Sequence, residues 1–193
     1  MRRVCVFCGS SAGCDPRYAE QAAALARELV SRGMGVVFGG GSVGLMGVLA
    51  DELLASGGAV TGVIPHGLAA RELAHPRVAD MRVVPTMHAR KALMAELADG
   101  FVALPGGIGT LEELFEIITW SQLGIHRKPV GVLNVAGYYD PLVALLEHAV
   151  AGGFVPPRSR DLVIVDEEPS QLLDRMSAHE PPPGPAWITP EET

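Results

Sequence analysis

Arg90 and Glu113 stand out by position among the charged residues. Arg90 falls among Met87, Leu93, Met94 and Leu97, which recur at helical spacing, so a guanidinium sits on an otherwise apolar helix face. A charge in such a place is costly unless it is paired or holds a ligand. Glu113 follows Pro105-Gly106-Gly107-Ile108-Gly109-Thr110, where the apolar run 100–104 gives way to the helical spacing of Leu111, Leu114, Phe115 and Ile118. A strand-to-helix junction presents unpaired N–H groups at the positive end of the helix, a ready site for a phosphate. Glycines let a ligand approach the backbone closely. No Gly-Lys-Ser/Thr follows, so this is not a nucleoside-triphosphate loop.

With a phosphate on residues 106–110, Glu113 would lie within roughly one helical turn of ~5.4 Å, and Arg90 with Lys91 would offset the negative charge. A phosphate cradle, an inward arginine and a carboxylate suit the breaking of a bond in a phosphorylated sugar. Glycosidic cleavage has an oxocarbenium-like transition state, so a carboxylate can stabilise the cation or activate water. The base of a nucleotide leaves as an anion, which an arginine could meet. A plainer reading makes Thr110 a helix N-cap with Glu113 completing a capping box, and Arg90 a structural ion pair.

The elements that must position these groups alternate. Residues 4–8 read as a first strand, followed by small residues 9–13 and a helix striped by Tyr18, Ala22, Leu25 and Leu29. Residues 35–38 and 59–64 read as strands around the helix 45–55. Residues 66–80 are irregular, with a helical turn carrying Glu72 and His75; 81–84 is a strand, and Thr86 caps the helix 87–98. Beyond the central loop come a strand at 129–135, a helix at 139–150 with Leu142, Leu145, Leu146 and Ala149 facing the core, a strand at 162–165 and a helix at 169–176. The alternation predicts one Rossmann-like, doubly wound parallel sheet with helices on both faces, a single α/β domain over residues 1–180. Residues 181–193, rich in Pro and Glu, read as a disordered tail. Gly39, Gly41 and Gly44 match G-x-G-x-x-G, but Ile64-Pro65-His66 supplies no acidic residue for a dinucleotide ribose. A second small-residue loop beside a mononucleotide site is the better reading.

Composition excludes several classes. A net charge of -7 argues against a nucleic-acid surface. Cys5 and Cys8 lie three apart in a strand and so on opposite sides, no Cys/His cluster completes a metal site, and three cysteines fit a reducing cytosol. Arg2-Arg3 precedes an apolar run that ends by Gly9, short for a signal peptide, and nothing approaches a membrane span. The expectation is a cytoplasmic protein with no nucleic-acid, membrane or metal partner.

Residues 39–47 (GGGSVGLMG), 87–91 (MHARK) and 105–113 (PGGIGTLEE) resemble the LOG (Lonely guy) family of cytokinin riboside 5′-monophosphate phosphoribohydrolases, as do TWSQLG at 119–124 and GYYD at 137–140. The resemblance covers roughly residues 3–160. It implies hydrolysis of N6-substituted AMP, such as prenyl-AMP, to a free base and ribose 5-phosphate, by a homodimer without metal or organic cofactor. By the same resemblance Arg90 and Glu113 are the catalytic pair. Glu72, Met87, Lys91, Gly106, Gly107, Ile108, Gly109, Thr110 and Thr119 then bind the nucleotide. Where the family's M-H-x-R-K often carries Glu, this chain has Ala89. Family members are often labelled lysine decarboxylases, yet the only lysines are Lys91 and Lys128, and Lys91 adjoins the motif arginine. Two alternatives stand beside this reading: an AMP nucleosidase indifferent to a prenyl group, and a nucleotide-binding carrier without turnover.

Overall fold

The short apolar runs become strands buried on both faces, and their alternation sorts side chains into two cores. In the computed structural model, which describes residues 1–70 and 73–180, β1 (Arg3–Phe7) sends Val4 and Val6 into one core and Cys5 and Phe7 into the other. The remaining strands are β2 (Gly35–Phe38), β3 (Val60–Pro65), β4 (Asp80–Val84), β5 (Gly100–Ala103), β6 (Val130–Leu133) and β7 (Val163–Asp166). They form one sheet in the order β4-β3-β2-β1-β5-β6-β7, and each pairing is parallel. Parallel neighbours require crossovers, which the helices supply. α1 (Pro16–Ser31), α2 (Gly44–Ala55) and α8 (Pro169–Ser177) cover one face through Leu25, Leu29, Leu49, Leu53 and Leu172. α4 (Met87–Leu97) and α5 (Ile108–Leu123) cover the other through Met94, Leu114 and Ile117. The Rossmann-like, doubly wound sheet expected from the alternation is what the chain forms.

The winding reverses between β1 and β5, which opens a crevice at the carboxyl ends of these strands. Thr86 caps α4 as expected, accepting from the Ala89 amide at 3.0 Å. Two local expectations fail, and the plainer reading of Thr110 as a cap fails with them. α5 starts earlier than a Thr110 cap would put it: Gly107 is the N-cap, with no side-chain cap bond, and Thr110 lies buried inside the first turn. The helical turn of residues 66–80 is α3 (His66–Ala69), whereas His75 is on an extended segment whose amide donates to the Gly40 carbonyl at 2.8 Å. Backbone pairing with the glycine loop, through the bridge Gly41–Ala74, holds that segment straight. On α6 (Asp140–Ala151) no residue is fully buried and Leu145 is 57 % exposed, since α6 leans on the short α7 (Pro157–Arg160) and sends only Leu142 toward the core. Glu72 and the tail 181–193 lie outside the described residues. Among the described residues, no helix is long and apolar enough to cross a membrane.

Candidate active site

Three loops meet at the β1/β5 crevice and are tied together by backbone bonds. The Gly9 amide donates to the Pro105 carbonyl and the Leu45 amide to the Gly9 carbonyl, both at 3.0 Å. The loop after β1 therefore joins the glycine loops after β2 and β5. Gly107 caps α5, leaving the first amides of the helix without partners inside it, directed at the crevice end of the sheet. A cleft of about 380 Å³ opens there. Gly107, Ile108, Gly109, Thr110, Arg90 and Glu113 line it, with Cys8 and Ser10 from the first loop and Gly39 and Gly41 from the second. Val43, Met46, Ile64, Leu68 and Leu73 give it an apolar wall.

Arg90 reaches this cleft from the first turn of α4. Its Nε donates to the Val63 carbonyl at 3.2 Å, and its guanidinium meets Glu113 Oε1 at 3.0 Å and Met87 Sδ at 3.2 Å. The guanidinium lies so close to the end of β2 that a Cβ on Gly39 would collide with it. Close approach of the arginine thus accounts for the glycine at position 39. Glu113 is 8 % exposed, and burial raises its carboxyl above the usual range against the pull of Arg90. Burial, with Glu113 adding to it, also pushes the Cys8 thiol well up, away from the reactive thiolate form.

The expected site residues are brought together in part. Gly106 stands behind the loop, where a Cβ would strike the Thr110 hydroxyl. Met87 enters through its contact with Arg90. Lys91 turns away from the cleft: its Nζ donates to Glu112 Oε1 at 2.5 Å and Glu116 Oε1 at 2.9 Å, bracing α4 against α5. Thr119 lies on the exposed side of α5 and donates to the Phe115 carbonyl at 2.7 Å. The sequence reading missed what lies behind the loop. Tyr139 donates its hydroxyl to the Leu104 carbonyl at 2.7 Å, and Tyr138 donates to the Gly106 carbonyl. The signal available was two adjacent tyrosines, in a chain with three, where the predicted strand 129–135 hands over to the predicted helix 139–150. Among the described residues no group of three His, Cys, Asp or Glu side chains could hold a metal ion.

The pattern of the family described as "Possible lysine decarboxylase" matches residues 46–176. A protein of Oryza sativa subsp. japonica named "Probable cytokinin riboside 5′-monophosphate phosphoribohydrolase" is 52% identical over 182 residues, 94% of this chain and 74% of that protein. A cytokinin riboside 5′-monophosphate phosphoribohydrolase of Arabidopsis thaliana is 49% identical over 180 residues, 93% of this chain and 83% of its own. Among solved structures, the molybdenum cofactor binding protein of Rippkaea orientalis superposes with a TM-score of 0.70 at 18% identity, covering 92% of this chain and 97% of that one. The molybdenum cofactor carrier protein of Chlamydomonas reinhardtii gives 0.68 at 19% identity, covering 92% and 98%. These two likenesses show a shared fold.

Proposed function

The chain belongs to the family of cytokinin riboside 5′-monophosphate phosphoribohydrolases, and from that premise we propose that it hydrolyses the N-glycosidic bond of N6-substituted AMP. The products are a free base and ribose 5-phosphate. The observation that carries this reading is the buried Arg90–Glu113 pair at 3.0 Å beside the amino end of α5. A carrier has no reason to hold a carboxylate next to a bound phosphate, whereas a glycosidic cleavage needs one.

The 5′-phosphate sits on the amides of residues 107–110, at the positive end of the helix. This fixes the ribose so that C1′ faces Glu113. As the bond to the base lengthens, positive charge grows at C1′, and the Glu113 carboxylate stabilises it or takes the proton of the attacking water. The water oxygen bonds to C1′ as the bond from C1′ to the base nitrogen breaks, and the proton that water gives up ends on the departing base, which leaves Glu113 ionised again. Arg90, aimed by Val63 and Gly39, meets the negative charge of the leaving base or the sugar phosphate. Either role of Glu113 requires it ionised, and Arg90 opposes the effect of burial.

The decarboxylase description of the family does not fit these residues. A pyridoxal phosphate enzyme needs a lysine amine facing its cofactor. Lys91 is held by two carboxylates, and the Lys128 Nζ donates to the Ala95 carbonyl at 2.7 Å; neither lines the cleft. The reading further takes the protein as a cytoplasmic homodimer. Three free cysteines, two of them buried, suit a reducing compartment.

The apolar wall of the cleft supports a substrate with an apolar N6 group. Incubating the protein with N6-isopentenyl-AMP, AMP and N6-isopentenyladenosine, with assay of free base and ribose 5-phosphate, tests the reading. Each buried CH₂ is worth about 0.8 kcal/mol, so the prenylated nucleotide should be the best substrate and the nucleoside the worst. Equal kcat/KM on AMP and its prenylated form would make the protein an AMP nucleosidase. Failure on all three would remove the enzymatic reading.

A further inference from the structure

The peptide unit between Gly106 and Gly107 is the weak point of the phosphate loop. Neither flanking residue has a Cβ, so this unit rotates more readily than any other in the loop. A half-turn would exchange the Gly106 carbonyl for the Gly107 amide. In one orientation an N–H group faces the anion; in the other a carbonyl oxygen does, which repels it. The peptides on either side are held. The helix engages the Gly107 carbonyl through the Leu111 amide at 3.1 Å, and the Gly9 amide holds the Pro105 carbonyl at 3.0 Å. Neither the sheet nor the helix holds the Gly106 carbonyl. Its partner is the hydroxyl of Tyr138, which lies on the side of the loop away from the Arg90–Glu113 cleft.

We propose that Tyr138 is a positioning residue for phosphate recognition: its hydroxyl fixes the Gly106 carbonyl and so keeps the Gly107 amide turned toward the 5′-phosphate. This rests on the phosphate reading above. The turn that delivers Tyr138 is itself closely determined. Ala136 has φ 55°, a left-handed conformation that a residue with a side chain seldom adopts. Such strain persists only where the surroundings impose it. Here Asn134 accepts from the Tyr139 amide and donates to Asp140 Oδ1, both at 2.7 Å, and the Tyr138 amide donates to the Val135 carbonyl at 3.0 Å. The Tyr138 ring is then set edge-on to Tyr139 at 4.9 Å and to Tyr18 at 5.8 Å, which orients the hydroxyl toward the loop.

Tyr138→Phe keeps the ring and removes only the hydroxyl. Calorimetry on the whole chain would compare ribose 5-phosphate with the free base N6-isopentenyladenine, which carries no phosphate. The expected result is a Kd for ribose 5-phosphate raised roughly tenfold, as for one lost hydrogen bond, with the Kd for the base unchanged. KM for prenylated AMP should rise in step. Tyr18→Phe, which retains the edge contact, should bind both ligands as wild type does. Unchanged affinity for ribose 5-phosphate in Tyr138→Phe, or equal losses for both ligands, would overturn the proposal, the second because a general loosening of the fold gives that pattern. If the wild-type protein binds no ribose 5-phosphate and hydrolyses no nucleotide, the functional reading fails first and takes this proposal with it.

Discussion

Glu113 and Arg90 are each other's nearest charge in a place with little water, and that arrangement admits two explanations. A structural pair would tolerate loss of charge at some cost in stability, while a catalytic pair would lose turnover in a folded protein. Glu113→Gln preserves size and removes the negative charge, so on the catalytic account kcat/KM on prenylated AMP falls by roughly 10²–10⁴ with circular dichroism unchanged. Arg90→Ala should do the same. A folded Glu113→Gln protein of near-normal activity would return Glu113 to a structural role. The pH profile provides a second reading of the same residue. Burial raises the Glu113 carboxyl, and the reaction needs the carboxylate, so activity is present above that raised pKa and lost as pH falls through it. The acid limb of kcat/KM should therefore stand above the ordinary glutamate value of about 4.3 and disappear from the residual activity of Glu113→Gln.

At the level of elements, α5 is anchored at both ends, and its far anchor responds to pH. Beyond Gly124, which closes the helix at φ 82°, His126 Nε2 lies 3.0 Å from the Ile117 carbonyl while Nδ1 accepts from the Lys128 amide at 3.2 Å. Its ring packs on Phe101 of β5 at 5.2 Å. Burial lowers its pKa from 6.5 to about 4. Between those values the unfolded chain binds the proton and the folded one does not, so stability from this group is complete above about pH 6.5 and is lost as pH falls toward 4. The stability difference between pH 7 and pH 5 should be about 2 kcal/mol smaller in His126→Asn than in wild type, measured by urea unfolding. The strands, their glycine loops and the Thr86 cap were legible in the sequence, because each is set by local pattern. Arg90 was legible because a cation on an apolar helix face demands a partner, and the partner is Glu113. The plainer reading of Thr110 as the cap of α5 fails because the helix N-terminus is closed by Gly107 backbone with no capping side chain. Tyr138 and the turn of Lys91 toward Glu112 and Glu116 depend on contacts between distant elements, which periodicity does not encode.

For the whole molecule, what remains is the apolar surface that one chain leaves uncovered. Ile108 is 82 % exposed at the mouth of the cleft, Met87 is 43 % exposed beside it, and Phe115 is 37 % exposed two turns further along α5. Thr119 follows Phe115 by four residues and so shares its face. The family resemblance puts Thr119 at the nucleotide, yet in one chain it stands outside the cleft. A second copy seated on the α4–α5 face would cover Met87, Ile108 and Phe115 and bring Thr119 into an enclosed site. The exposed Leu145 and Phe154 belong to or follow α6, well separated from these in sequence, and offer a competing surface. Light scattering at micromolar concentration should give twice the 20.3 kDa mass of the chain. Phe115→Glu should give the mass of one chain and lose activity with it, because burying an unpaired carboxylate in an apolar contact is strongly unfavourable. Leu145→Glu should leave both mass and activity as they are. A wild-type protein of single-chain mass would remove the dimer, and a dimer broken by Leu145→Glu but not by Phe115→Glu would move the contact to α6 and leave the cleft open to water.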